Sequence, residues 1–236
     1  MADDEKKSDE KKTIISLFAH PDDELGAIGT LANHAQRGDR VILAWTTCGE
    51  LTTLFGDMDI KDVKKERIRH GDEIVKIVGA EKAVFLDLGD GYIENTREQR
   101  MAVAKLYVEE KPDVVISWGL NNNHSDHKNT GYMAVEAVKF ARINNIMKTS
   151  EPHRKNVLLL QYFEKESTHP IKYIDVTDTI EQAKAAAAFY AEIYDWKNVN
   201  DWVIDSRRAR GLESFTKYAE KFNMRFSMDK PSKYIL

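Results

Sequence analysis

The sequence predicts an α/β fold: a Rossmann-like, doubly wound and mostly parallel sheet with helices on both faces. Two observations predict it. Short apolar runs alternate along the chain with longer segments of helical period. The apolar runs are also continuous rather than alternating, as in strands buried on both sides. The first strand covers residues 13–19 (TIISLFA), and a helix over 25–37 closes at Gly38. A second strand follows at 40–47, then a helix over 61–78 closed by Gly79, and a third strand at 83–87. Residues 97–110 read as helix, 113–118 as the fourth strand, 130–142 as helix, 156–163 as the fifth strand and 177–194 as helix. The stretch after Lys197 reads as a C-terminal extension packed on the domain. Residues 1–12 carry nine charges and almost nothing apolar, so they are expected to be a disordered tail on a single domain spanning 13–236.

Composition narrows the function. With 236 residues, 42% hydrophobic and 31% charged, the chain can bury one sizeable core. A net charge of −4 argues against nucleic acid as a partner, which would call for a basic face. No apolar run reaches the roughly 18 residues that span a bilayer, and the N-terminus is charged where a signal peptide would be apolar. A soluble, cytoplasmic protein is expected. Its single cysteine, Cys48, fits a reducing compartment and reads as a small buried residue rather than a nucleophile.

Two polar clusters carry chemistry. The first strand ends in Ala19-His20-Pro21-Asp22-Asp23-Glu24, and three carboxylates crowded there repel one another unless a cation holds them. The fourth strand is followed by Asn121-Asn122-Asn123-His124-Ser125-Asp126-His127, with two of the chain's seven histidines in one tetrapeptide. Taken singly, each has a plain alternative: acids favouring a helix N-terminus, and a solvated loop before a capped helix. Taken together they converge, because in the strand order 3-2-1-4-5 the first and fourth strands flank the crevice beyond their carboxyl ends. A divalent metal held by His and Asp follows, with zinc suited to that donor set. Gly26 and Gly29 do not form a dinucleotide fingerprint, and the acidic loop would repel a pyrophosphate.

These motifs resemble the signatures of the PIG-L/LmbE-like zinc-dependent N-deacetylases: residues 19–24, the following Leu25-Gly26-Ala27-Ile28-Gly29-Thr30-Leu31, and His124-x-Asp126-His127. The likeness continues through 46–50, Asp90-Gly91 and the terminal 218–222. The resemblance implies that His20, Asp23 and His127 ligate Zn2+ and that Asp22 is the general base. It further implies that a protonated His124 stabilises the oxyanion or assists the leaving amine, with Asp126 holding that imidazole in place. The implied reaction removes acetyl from an N-acetylglucosamine-type sugar or glycoconjugate, giving acetate and a free amine. By the same analogy a homo-oligomer, a trimer or hexamer, is expected. A catalytically silent metal- or sugar-binding module and a non-haem iron enzyme are the alternatives, and the strand-helix alternation disfavours the second. Arg67 and Arg69 fall in a Lys/Arg/Glu-rich segment, 61–69, that reads as a solvated helix face, with a contact from one of them to a substrate hydroxyl or phosphate as the alternative; Trp196 and Trp202 read as packing residues, with a place on the pocket wall or an interface as the alternative.

Overall fold

The computed structural model describes residues 10–226. Its seven strands are β1 (Thr13–Phe18), β2 (Arg40–Trp45), β3 (Lys82–Phe85), β4 (Val114–Ser117), β5 (Leu158–Tyr162), β6 (Ile171–Asp175) and β7 (Ala219–Phe226). They form one sheet in the order β3-β2-β1-β4-β5-β7-β6. The first five are parallel, in the order the sequence predicts, and β7 pairs antiparallel with both β5 and β6. The helices are α1 (Ile28–Arg37), α2 (Ile60–Val78), α3 (Arg97–Glu110), α4 (Ser125–Ala141), α5 (Asn144–Met147), α6 (Ile180–Tyr194) and α7 (Val199–Ser214).

The central strands are apolar at nearly every position because each face packs a helical layer. Ile14, Phe18, Val41, Leu43 and Trp45 face α1, α2 and α6 through Leu31, Ile74 and Tyr190. Ile15, Leu17, Ile42 and Ala44 face α3 and α4 through Val103, Tyr107, Met133 and Ala137. Each of the larger aliphatic and Phe side chains contributes about 1.5–3 kcal/mol by leaving water. Gly38 and Gly79 end α1 and α2 at φ 88° and 77°, a left-handed conformation that costs a residue with a Cβ far more. A capping box of Thr96 and Gln99 opens α3.

Four expectations change. The segment after Lys197 is no appended extension: α7 covers the sheet and β7 inserts between β5 and β6. Buried Glu220 and Asn223 interrupt the apolar pattern of β7, which is why it does not read as a strand. The helix expected at 130–142 begins five residues earlier, because His124 caps it with its own ring, Nδ1 accepting from the N–H of Asp126 at 3.2 Å. The helix expected from residue 25 begins as a 3-10 turn, Asp23–Ala27, before α1. Lys12 is not free: its N–H donates to Asp39 and its carbonyl accepts from Arg40, extending the β1 edge. The rest of the expected tail, residues 1–9, lies outside the described residues.

Glu220 has a particular task. Fully buried, it accepts from the N–H groups of Gly29 and Thr30 at 3.0 and 2.8 Å, and so caps the start of α1 from the far end of the chain. Arg207 of α7, also buried, pairs with it and donates to the carbonyl of Leu25 at 2.6 Å. No described helix is long and apolar enough to cross a membrane.

Candidate active site

Because β1 and β4 are parallel neighbours, with Leu17 paired to Ser117, the two polar clusters meet just beyond their carboxyl ends. The first is a tight turn built around Asp23. Its Oδ2 accepts from the N–H groups of Ala19 and His20, at 3.1 and 2.9 Å, and from the indole of Trp118 at 2.9 Å. Tyr162 donates to the Asp23 carbonyl at 2.6 Å, and Gly26 lets that ring approach: a Cβ there would sit 2.8 Å from it. Asp22 holds φ 114° and ψ −26°, a conformation that non-glycine residues adopt at a cost. What holds it is its N–H, bonded to Glu24 Oε2 at 3.0 Å. Glu24 is fully buried and also accepts from Trp45 Nε1 and the Tyr190 hydroxyl, at 3.0 and 2.7 Å.

Three donor atoms converge here. His20 Nδ1 lies 3.2 Å from His127 Nε2 and 3.6 Å from Asp23 Oδ2, and His127 Nε2 lies 3.2 Å from Asp23 Oδ1. In a tetrahedral zinc site with bonds of about 2.0–2.1 Å the ligand atoms stand about 3.3 Å apart, so one imidazole pair and one carboxylate at these spacings fit the ion. The other nitrogen of His20 faces Asp90 Oδ1 at 3.1 Å and Asp126 Oδ2 at 3.4 Å, the carboxylate backing that fixes the tautomer of a metal-ligating histidine. Electrostatics agree. Burial alone would lower the pKa of His20, yet the carboxylates of Asp126, Asp23 and Asp90 push it up to about 12, so these acids demand a positive charge among them. The two histidines hold Asp23 itself below the usual carboxylate range against the effect of its burial.

Around this centre the remaining residues take defined places. His127 is sandwiched between Trp118, stacked at 4.2 Å, and His124, stacked at 4.3 Å. Asp22 is pushed up by burial first and by Asp23 next, with Arg67 Nη2 3.6 Å away opposing the shift. Asp126 corrects one expectation. Its carboxylate turns to His20 and to the N–H of Gly91, at 2.7 Å, rather than to the ring of His124. A backbone N–H can only donate, so His124 Nδ1, facing that of Asp126, is an acceptor and the ring proton sits on Nε2. Burial and then the neighbouring His127 and His20 lower the pKa of His124; Asp126 favours the charged ring, as expected, but is outweighed.

Arg67 is a second correction. Only 3% exposed, it donates to the carbonyls of Cys48 and Pro21, at 3.1 and 2.8 Å, and its Nη1 has no partner among the described residues. The signal was its phase: Val63, Arg67, His70, Gly71, Ile74 and Val78 share one buried face of α2. Cys48 behaves as expected, buried, with burial pushing its thiol up to about 12. Asp90, part of the family likeness, and Trp118 have no role legible in the sequence, since an Asp in a loop and a Trp at a strand end carry no spacing signal.

Two cavities open from the centre. One, of about 480 Å³, is lined by Asp22, Arg67, Asp90, His124 and the 49–54 loop. The other, of about 590 Å³, is walled by aromatic side chains, among them Trp118, Phe163, Trp196 and Trp202. Trp196 and Trp202, expected to pack, are 40% and 58% exposed on its wall.

The family model described as GlcNAc-PI de-N-acetylase, PIG-L, matches residues 15–138, more than half of the chain. The diacetylchitobiose deacetylase of Thermococcus kodakarensis is 27% identical over 179 residues, covering 72% of this chain and 66% of the relative, just under two thirds of that protein's length. Two solved structures share the fold. The N,N'-diacetylchitobiose deacetylase from Pyrococcus horikoshii, in complex with an inhibitor, has a TM-score of 0.79 at 24% identity over 91% of this chain and 84% of that one. The 4-carboxy-2-hydroxymuconate hydratase GalB from Pseudomonas putida has a TM-score of 0.82 at 21% identity, over 94% and 100%.

Proposed function

The chain belongs to the PIG-L family of de-N-acetylases, and from that premise we propose that it is a metal-dependent N-deacetylase, hydrolysing the acetyl amide of an N-acetylglucosamine-type sugar to acetate and a free amine. The observation that carries this reading is the meeting of His20, Asp23 and His127 at 3.2–3.6 Å with Asp22 beside them. In this reading those three residues hold Zn2+. A cation bound there supplies Lewis acidity, making water more acidic and the amide carbonyl more electrophilic.

The protein's own groups do the rest. Asp22, its pKa raised towards that of a working base, takes a proton from the attacking water and returns it to the nitrogen as the C–N bond breaks. The water oxygen ends on acetate, and the sugar leaves as the amine. His124 presents its Nε2 proton to the developing oxyanion, because the helix backbone already engages Nδ1. Asp90 and Asp126 hold the ring of His20. Arg67, on the wall of the smaller cavity, places its positive charge 3.6 Å from Asp22. The free, buried Cys48 thiol fits a cytoplasmic setting, and exposed Leu212 on α7 and Phe215 just beyond its end fit a homo-oligomer.

The test is amine release from N-acetylglucosamine and N,N'-diacetylchitobiose by metal-loaded and chelator-stripped protein. Release that needs the metal supports the reading. Metal binding without release from any N-acetyl sugar would mark a binding module instead.

A further inference from the structure

The larger cavity has more room and different chemistry than an acetyl group needs. At about 590 Å³ it falls in the range of roughly 300–1,000 Å³ typical of sites for whole small molecules. It shares Asp22, Asp23 and His127 with the reacting centre and runs beneath α7 to Arg210 and Lys221. Five aromatic side chains line it, so the walls favour a flat or apolar body. Of the three cations on its wall, Arg207 is paired with Glu220, and the other two differ. Lys221 is spoken for: its ammonium bonds Glu213 at 2.6 Å and lies 4.0 Å from the ring centroid of Phe163. Arg210 makes no side-chain hydrogen bond or ion pair among the described residues, although it is partly buried.

Both carboxylates near Arg210 are committed elsewhere. Glu220 is engaged by Arg207, Gly29 and Thr30, and Glu213 by Lys221 and the Tyr173 hydroxyl. A guanidinium withdrawn from water without a partner is costly, and its planar fork matches a carboxylate or phosphate. Burial, and then the like charge of Arg207, accordingly lower the pKa of Arg210, the mark of a charge lacking its counter-ion.

We propose that this cavity is a subsite for an anionic oxyacid group carried by the substrate on an apolar or ring-shaped body, and that Arg210 is the residue that selects it. Resting on the deacetylase reading, the inference narrows the substrate class to acidic N-acetyl compounds rather than neutral sugars. Carboxylate and phosphate share the recognising chemistry.

Calorimetric titration of the metal-loaded full chain with benzoate, phenyl phosphate and benzyl alcohol tests it, because these probes reach the cavity whether or not the protein turns anything over. At least one anion is expected to bind roughly 10-fold or more tightly than the alcohol, as a charge-assisted fork bond provides, and the stronger of the two identifies the group. Arg210→Gln should bring the anion down to the level of the alcohol, and Arg210→Lys should keep part of the preference. Arg208→Gln removes the same charge from the exposed face of α7, where Arg208 pairs with Asp205, and should leave the preference intact. Anions binding no better than the alcohol, or a preference that survives Arg210→Gln, would overturn the proposal. Amine release is read separately: selective anion binding without deacetylation would sink the enzymatic reading and leave the subsite standing.

Discussion

Trp118 donates its indole N–H to Asp23 Oδ2 at 2.9 Å, and the same ring stacks on His127 with an interplanar angle of 7°. One side chain at the end of β4 thus orients two of the three convergent donors, one from each loop. Trp118→Phe keeps an aromatic face for His127 but removes the bond to Asp23. Metal affinity, measured by competition with a chelator, should fall about 10-fold or more, the scale for a residue bonded to a ligand. Affinity equal to wild type would mean that the two backbone bonds to Asp23 suffice.

The adjacent aspartates should separate. Asp23→Asn weakens a direct donor and removes its charge, so metal content and rate fall together. Asp22→Asn leaves three donors in place but removes the base, so metal stays while turnover drops on the order of 100-fold or more. Metal analysis and initial rates on both variants decide it, and the reverse pattern would exchange their roles.

Glu24 closes a buried hub in which three donors depend on one carboxylate. Glu24→Ala leaves the Asp22 N–H, the Trp45 indole and the Tyr190 hydroxyl unpaired, and should cost about 3 kcal/mol or more in urea denaturation. Tyr190→Phe removes one donor and should cost about 1 kcal/mol. A Glu24→Ala loss no larger than that of Tyr190→Phe would show that water replaces the missing acceptor.

His70 gives the fold an acid-sensitive point. It is 1% exposed, its Nδ1 has no partner among the described residues, and burial lowers its pKa to about 4. The folded chain therefore keeps this ring neutral while the unfolded chain protonates it near 6.5, so its contribution is complete above pH 6.5 and is lost as pH falls towards 4. Denaturation at pH 7 and pH 4.5 should show wild type losing more stability than His70→Leu. Parallel losses would assign the acid sensitivity to other groups.

Strands β1 to β5 can be read from the sequence because each is apolar at nearly every position, and the placing of the two histidine clusters follows from their order. The ends of the chain's logic are harder to read. Glu220 and Asn223 make β7 look like a loop, yet apart from nearby Arg207 their polarity is satisfied by distant groups, at Glu164, Gly29 and Thr30, 59–191 residues away. Arg67 hides among charged neighbours on α2, and only its phase with Val63 and Ile74 betrays that it points inward. Asp126 sits two residues from its expected partner in sequence but turns to His20, because the first turn of α4 aims its carboxylate across the crevice.

The fastening of α1 by Glu220 has a consequence for the order of manufacture. A ribosome delivers His20, Asp23 and His127 long before it delivers the strand that seats the helix following the first cluster, 191 residues after Gly29. Until β7 slides between β5 and β6, the start of α1 lacks its charged anchor, and Arg207, which holds the carbonyl of Leu25, lacks its counter-ion. A half-made chain can own every donor atom of the centre without holding them in register. Competence is thereby timed to arrive with β7, and a chain cut short before it should be inert even though all its reactive residues are present.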